Sequence, residues 1–81
     1  MRIDKFLNSV NITKRRSVAQ DMLSNKVVLI NNIVVKPSKN VEVGDTISIN
    51  YLNEMKNYKV LQIPVTKSTP KSLQSDYIKE L

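Results

Sequence analysis

The chain has 81 residues, with thirteen Lys+Arg against seven Asp+Glu for a net charge of +6, and no cysteine, histidine or tryptophan. That length fits one small domain, and the missing residue types exclude thiol and imidazole nucleophiles, ordinary zinc sites and a disulfide framework. No apolar run approaches the roughly 18 residues of a membrane span, and the opening MRIDKFLNSV is too polar for a signal peptide, so a small cytoplasmic binding module is expected, not an enzyme.

In chain order, Ile3, Phe6, Leu7 and Val10 fall at i, i+3, i+4 and i+7, the stripe of an amphipathic helix over 2–10. Arg2, Lys5 and Ser9 share another face. The stretch NSVNIT at 8–13 breaks the pattern, and Thr13 is a good N-cap for a second helix from about Lys14 to Ser24. Val18, Ala19, Met22 and Leu23 form its expected apolar face. Lys14, Arg15 and Arg16 would then occupy its first turn, where the helix end already carries partial positive charge. Cations gain nothing there locally; what they share with the free N–H groups is attraction to anions.

Beyond Ser24 the composition changes. Thirteen of the eighteen Val and Ile residues lie between 27 and 65, which favours strands. Val27–Ile30 and Ile33–Val35 flank Asn31-Asn32, a pair able to take the positive φ of a two-residue hairpin turn. Lys36-Pro37-Ser38 ends that strand, and Gly44-Asp45 marks the next turn. Thr46–Leu52 alternates, with Ile47, Ile49 and Tyr51 on one face. Residues 53–57 read as a polar turn, Tyr58–Val65 as another strand, and 66–72 as a linker. Leu73, Tyr77 and Leu81 are spaced for one short helix docking on the body. The expected class is α+β, with two N-terminal helices packed on a small antiparallel sheet and a short C-terminal helix or tail; residues 1–65 form the domain and 66–81 the linker and tail.

The charge is not evenly spread. Residues 1–40 hold eight basic groups and two acidic ones, whereas residues 41–81 hold five of each. Such asymmetry points to a polyanionic partner. All three arginines lie within the first 16 residues although lysines outnumber them ten to three. Arginine suits a site where a planar fork grips phosphate bidentately or stacks on a base; the plain alternative is chance clustering in a lysine-leaning chain.

Five pieces of the first 51 residues then form an ordered set: Arg2-Ile3-Asp4-Lys5-Phe6-Leu7, Lys14-Arg15-Arg16-Ser17-Val18-Ala19, Val28-Leu29-Ile30-Asn31-Asn32, Lys36-Pro37-Ser38 and Val41-Glu42-Val43-Gly44-Asp45-Thr46-Ile47. At these spacings the set resembles the S-four-type RNA-binding domain, the alpha-L fold named for a small-subunit ribosomal protein. A free-standing chain of this length opening R-x-D-K-F-L resembles, within that family, the RqcP-type factors of bacterial ribosome-associated quality control. The resemblance implies an RNA-binding protein that contacts large-subunit rRNA and P-site tRNA on a stalled large ribosomal subunit. It would steady peptidyl-tRNA there while an RqcH/NEMF-type tailing factor adds C-terminal alanines. Two positions depart from the family pattern. Lys26 stands where the family has Gly after the second helix, so that Asn25 is expected to take the left-handed turn instead; the usual Asn-Gly hairpin is Asn31-Asn32.

Carried onto this sequence, the resemblance makes Arg2, Lys5, Lys14, Arg15 and Arg16 phosphate and base-stacking contacts, the alternative being a solvated basic face. Gln20, one turn beyond Arg16, could reach a ribose or base edge or simply face solvent. Lys36, Ser38 and Lys39 extend the patch from the sheet edge. Asp4 is expected to orient the cations rather than touch RNA. Phe6 reads as core, and Tyr51 and Tyr58 as sheet packing rather than stacking platforms. No cofactor, metal or membrane partner is implied, and a monomer is expected. Competing readings are a large-subunit recycling or assembly factor of the heat-shock S-four type, and a basic membrane-surface or protein-docking module. The latter needs a basic amphipathic helix with exposed aromatics, and the only Phe sits on the apolar stripe.

Overall fold

The computed structural model describes residues 1–65 and 69–81. Helix α1, Ile3–Ser9, forms where the apolar stripe predicts it, and Ile3, Phe6, Leu7 and Val10 are fully buried. Its cap residue Arg2 contributes no side-chain bond. The first N–H groups instead donate to a distant loop, Ile3 to the Lys39 carbonyl at 2.7 Å and Asp4 to that of Pro37 at 3.4 Å. This satisfies donors a helix leaves orphaned. At the other end Asn11 takes φ 65°, and the Ile12 N–H returns to the Leu7 carbonyl at 3.0 Å, so an Asn closes the helix as the sequence suggests.

Helix α2 runs Arg16–Ser24, two residues shorter at its start than expected. Thr13 is not its cap: the hydroxyl donates to the Arg15 carbonyl at 3.1 Å, and Arg15 itself is extended. With that hydroxyl turned to a carbonyl, Lys14 and Arg15 stand ahead of the helix and only Arg16 lies in its first turn. The buried stripe is also narrower. Ala19 and Leu23 are covered, while Val18 is exposed.

The expectation that Asn25 takes the left-handed turn is overturned. Asn25 has φ −83° and Lys26 has φ 61°. The Lys26 N–H reaches the Leu23 carbonyl at 3.1 Å and the Val27 N–H that of Met22 at 3.3 Å. These closing bonds fix the left-handed residue one step past the cap, and two satisfied carbonyls offset a penalty of about 1–2 kcal/mol for a non-glycine there.

Five strands follow: β1 Val28–Ile30, β2 Ile33–Val34, β3 Thr46–Asn50, β4 Met55–Val60 and β5 Ile78–Glu80. They form one antiparallel sheet in the order β2-β1-β3-β4-β5. Asn31 and Asn32 have φ 51° and 68°, the geometry of the expected two-residue turn. Ile47 and Ile49 alternate onto the core side with Val28 and Ile30, joined by Phe6, Leu7, Val10, Ala19, Leu23, Val41, Val60 and Ile78 in one cluster. The sheet and both helices therefore share one core.

Two further stretches differ from the sequence reading. Met55, Lys56 and Asn57 belong to β4, not to a turn, and the strand ends at Val60 instead of Val65. Polar residues are accommodated there because they are paired: Ser48 Oγ donates to Asn57 Oδ1 at 2.6 Å across the ladder. At the C-terminus, a 3-10 turn, Lys71–Leu73, leads to a short helix α3, Gln74–Tyr77, and then the chain extends as β5 instead of continuing helically to Leu81. Ile78 is buried and Leu81 exposed, so burial of the β-branched Ile78 beside Val60 outweighs the four-residue spacing. Of the expected linker 66–72, residues 66–68 lie outside the described residues; Thr69 is buried, its N–H and hydroxyl both 2.9 Å from the Ser9 carbonyl.

Candidate nucleic-acid interface

Asp4 sits on α1 with its side chain fully buried. Its Oδ1 accepts the Lys5 backbone N–H at 2.7 Å. Its Oδ2 accepts Arg2 Nη2 at 3.2 Å, Gln20 Nε2 at 3.1 Å and Arg16 Nη2 at 3.3 Å, and the same Arg16 nitrogen lies 3.4 Å from Oδ1. One carboxylate thus ties the N-terminal segment to two successive turns of α2.

Burial pushes the Asp4 carboxyl up; the Gln20 hydrogen bond, the Lys5 amide, and the charges of Arg16 and Arg2 pull it down by more. Asp4 is held below the usual aspartate range and stays ionised at neutral pH. Its partners do not share its burial: the side chains of Arg2 and Arg16 remain 49% and 44% exposed. Each guanidinium spends part of its fork on the buried acid and presents the rest to solvent. Such a fixed, half-exposed fork matches phosphate geometry and loses little freedom on binding.

The remaining expected site residues group around this centre unequally. Lys5 is exposed on α1. Lys14 and Arg15 project from the loop before α2, whose shape Thr13 holds: it is 5% exposed, its N–H donates to the Leu7 carbonyl at 3.1 Å, and its carbonyl accepts Asn8 Nδ2 at 3.3 Å. Thr13 and Asn8 do not stand out in the sequence as positioning residues, because the carbonyl each engages is set by the folded loop. Lys36, Ser38 and Lys39 are exposed on the loop whose carbonyls receive the α1 N–H groups, with Arg2 bridging Asn40. The backbone therefore brings that loop beside Arg2 and Asp4, across a sequence gap of over 30 residues. Gln20 points its amide at Asp4, not freely outward.

The tyrosines lie elsewhere. Tyr58 packs against the core, and burial, then Tyr51, Glu80 and Glu54, raise its hydroxyl pKa, so the hydroxyl is neutral at neutral pH. Among the described residues, no group of three or more Asp or Glu side chains is placed to hold a metal ion, and no helix is long and apolar enough to cross a membrane. The chemistry on offer is multipoint binding of an anionic polymer by preset cations.

Residues 1–47 match the S4 domain family. Over 78 residues the chain is 47% identical to a Helicobacter pylori (strain J99) protein named RQC P-site tRNA stabilizing factor, covering 96% of this chain and 93% of that one. A protein solved in solution as a hypothetical protein matches with TM-score 0.87 and 46% identity, over 100% of this chain and 96% of its own. Heat shock protein 15 of Vibrio cholerae, solved as a trimer, matches with TM-score 0.90 and 27% identity, over 100% and 81%.

Proposed function

This chain belongs to the S4-domain family, among the RQC P-site tRNA stabilizing factors, and we propose that it binds the large ribosomal subunit after a stall and steadies the P-site peptidyl-tRNA there. The observation that carries this reading is the pair of half-exposed arginines held on a buried, ionised Asp4. Structured RNA is recognised through shape and backbone phosphates, and a rigid array of cations suits that task better than a pocket.

Arg2 and Arg16 grip phosphate or stack on a base, and Lys5, Lys14, Arg15, Lys36, Ser38 and Lys39 extend the contact along tRNA and large-subunit rRNA. Asp4 and Gln20 set the guanidinium geometry. These contacts all belong to an RNA-binding domain of residues 1–65, and the protein works in the cytoplasm as a monomer without catalysing a reaction. Its protein partner is an RqcH/NEMF-type factor that adds C-terminal alanines while the tRNA is held. The likeness to heat shock protein 15 supports a second reading, large-subunit recycling or assembly without tailing.

Affinity purification of the tagged protein tests the choice. Large subunits carrying peptidyl-tRNA are expected in the eluate, and deletion of the gene is expected to lower the abundance of alanine-tailed stalled peptides. Recovery of subunits with tailing untouched by the deletion would favour recycling. Absence of RNA from the eluate would remove both.

A further inference from the structure

A half-open groove of about 860 Å³ runs between the β1–β2 hairpin and the loop that follows it. Its lining includes Ile33, Val34 and Val35 together with Lys36, Lys39 and Glu42. Ile33 and Val34 are 67% and 48% exposed, apolar side chains left open to solvent. The volume lies within the range of small-ligand sites, roughly 300–1,000 Å³.

The polar groups around it are not equally available. Asp45 is used internally: Oδ1 accepts Asn31 Nδ2 at 3.2 Å and Oδ2 accepts the Glu42 backbone N–H at 2.9 Å. Asn31 in turn accepts the Thr46 N–H at 3.0 Å. This network fixes the Glu42 backbone, and among the described residues the Glu42 carboxylate itself has no hydrogen bond or ion pair. Neither does the ammonium group of Lys36 or Lys39. The groove lining thus combines exposed apolar side chains, two uncommitted cations and one uncommitted acceptor.

We infer that this groove takes a single unstacked nucleotide whose base carries an exocyclic amine. The phosphate lies on Lys36 and Lys39, the base rests on Ile33, Val34 and Val35, and the amine donates to Glu42. An exposed carboxylate is a natural acceptor for the cytosine amine and repels the carbonyl that uracil puts in its place. Bases displaced from a stack are read on their edges while packed on aromatic or apolar side chains. A docked peptide strand fits less well, because β2 offers only two residues to pair with. The Lys36–Lys39 loop that lines the groove is hydrogen-bonded to the start of α1, beside the arginine centre. The inference rests on the RNA-binding reading and adds to it a position at which base identity counts.

Amide chemical-shift titration with CMP and with UMP tests it. CMP is expected to shift the amides of Ile33–Lys39 and Glu42, with an apparent affinity about tenfold above that of UMP. In Glu42→Ala the two nucleotides are expected to bind alike, because the acceptor is gone while the lysines remain. A general electrostatic effect of removing an acid would instead strengthen both and keep their ratio. Equal response to CMP and UMP in the wild-type protein, or shifts confined to the Arg2–Arg16 face, would overturn the inference. The RNA-binding reading is tested separately by tRNA affinity: tRNA binding with a silent groove sinks only the groove, and a CMP-selective groove without tRNA binding sinks only that reading.

Discussion

The two halves of the chain use charge in opposite ways. On β4, in the neutral second half, Lys56 lies 3.9 Å from Glu54 and 4.0 Å from Glu80, and both acids are exposed to solvent. Pairs of that kind contribute about 0–1 kcal/mol and cancel each other's field. In the first half the acid at the centre is buried, its two arginines are half exposed, and eight cations face only two acids. Burying Asp4 costs desolvation that a surface pair never meets. What this obtains is guanidinium geometry fixed before a ligand arrives, with net positive charge left facing outward. The contrast separates ion pairs that consume charge from those that aim it.

The largest effect should come from the core beneath both halves. Phe6→Ala is expected to cost about 3–5 kcal/mol, measured by urea unfolding, a large share of the stability of so small a domain. If it costs under 1 kcal/mol, the helices do not share the sheet's core.

Asp4→Asn comes next, at about 1–3 kcal/mol, because a buried charge-assisted network is weakened. The wild-type protein should also show a pH signature. Since the folded-state pKa of Asp4 lies below its unfolded value, its contribution is complete above roughly pH 4 and is lost as pH falls through the folded value. Unfolding measured from pH 6 downward should show that acid limb in wild type and a flatter one in Asp4→Asn. A limb of equal size in both would mean that Asp4 is not the titrating centre.

Arg16→Ala should destabilise by about 1 kcal/mol, more than an ordinary surface change, because Asp4 keeps Arg2 and Gln20 but loses one partner. Its tRNA affinity should nevertheless fall at least tenfold. Lys56→Ala should mark the other end, with stability within about 0.5 kcal/mol and tRNA affinity unchanged. Equal loss of tRNA binding in both variants would erase the difference between the halves.

The helix stripe, the Asn31-Asn32 turn and the inward Ile47 and Ile49 were legible because each rests on local periodicity or turn chemistry. The start of α2 was not, because Thr13 has an acceptor in the Arg15 carbonyl that sequence does not reveal. β5 was hidden because a strand of three residues is specified by the edge it joins, here β4, far away in the chain. The cations of the site could be counted from sequence. Asp4 reads from sequence as a partner of those cations, but that Arg16 and Gln20 are among the side chains attached to it depends on α2 coming round, a tertiary contact with no sequence period.

That attachment is tested most directly by labelled-tRNA anisotropy titrations of wild type against Arg2→Lys/Arg16→Lys, repeated across salt concentrations. The double change keeps the net charge at +6 and removes only the forks, since an ammonium is a point charge that cannot hold the buried carboxylate and grip phosphate with one planar group. Affinity should drop at least tenfold at every salt concentration, while both proteins keep steep, similar salt slopes from the same number of phosphates neutralised. Indistinguishable affinities would mean that charge alone binds the RNA and that the geometry set by Asp4 has no part in it.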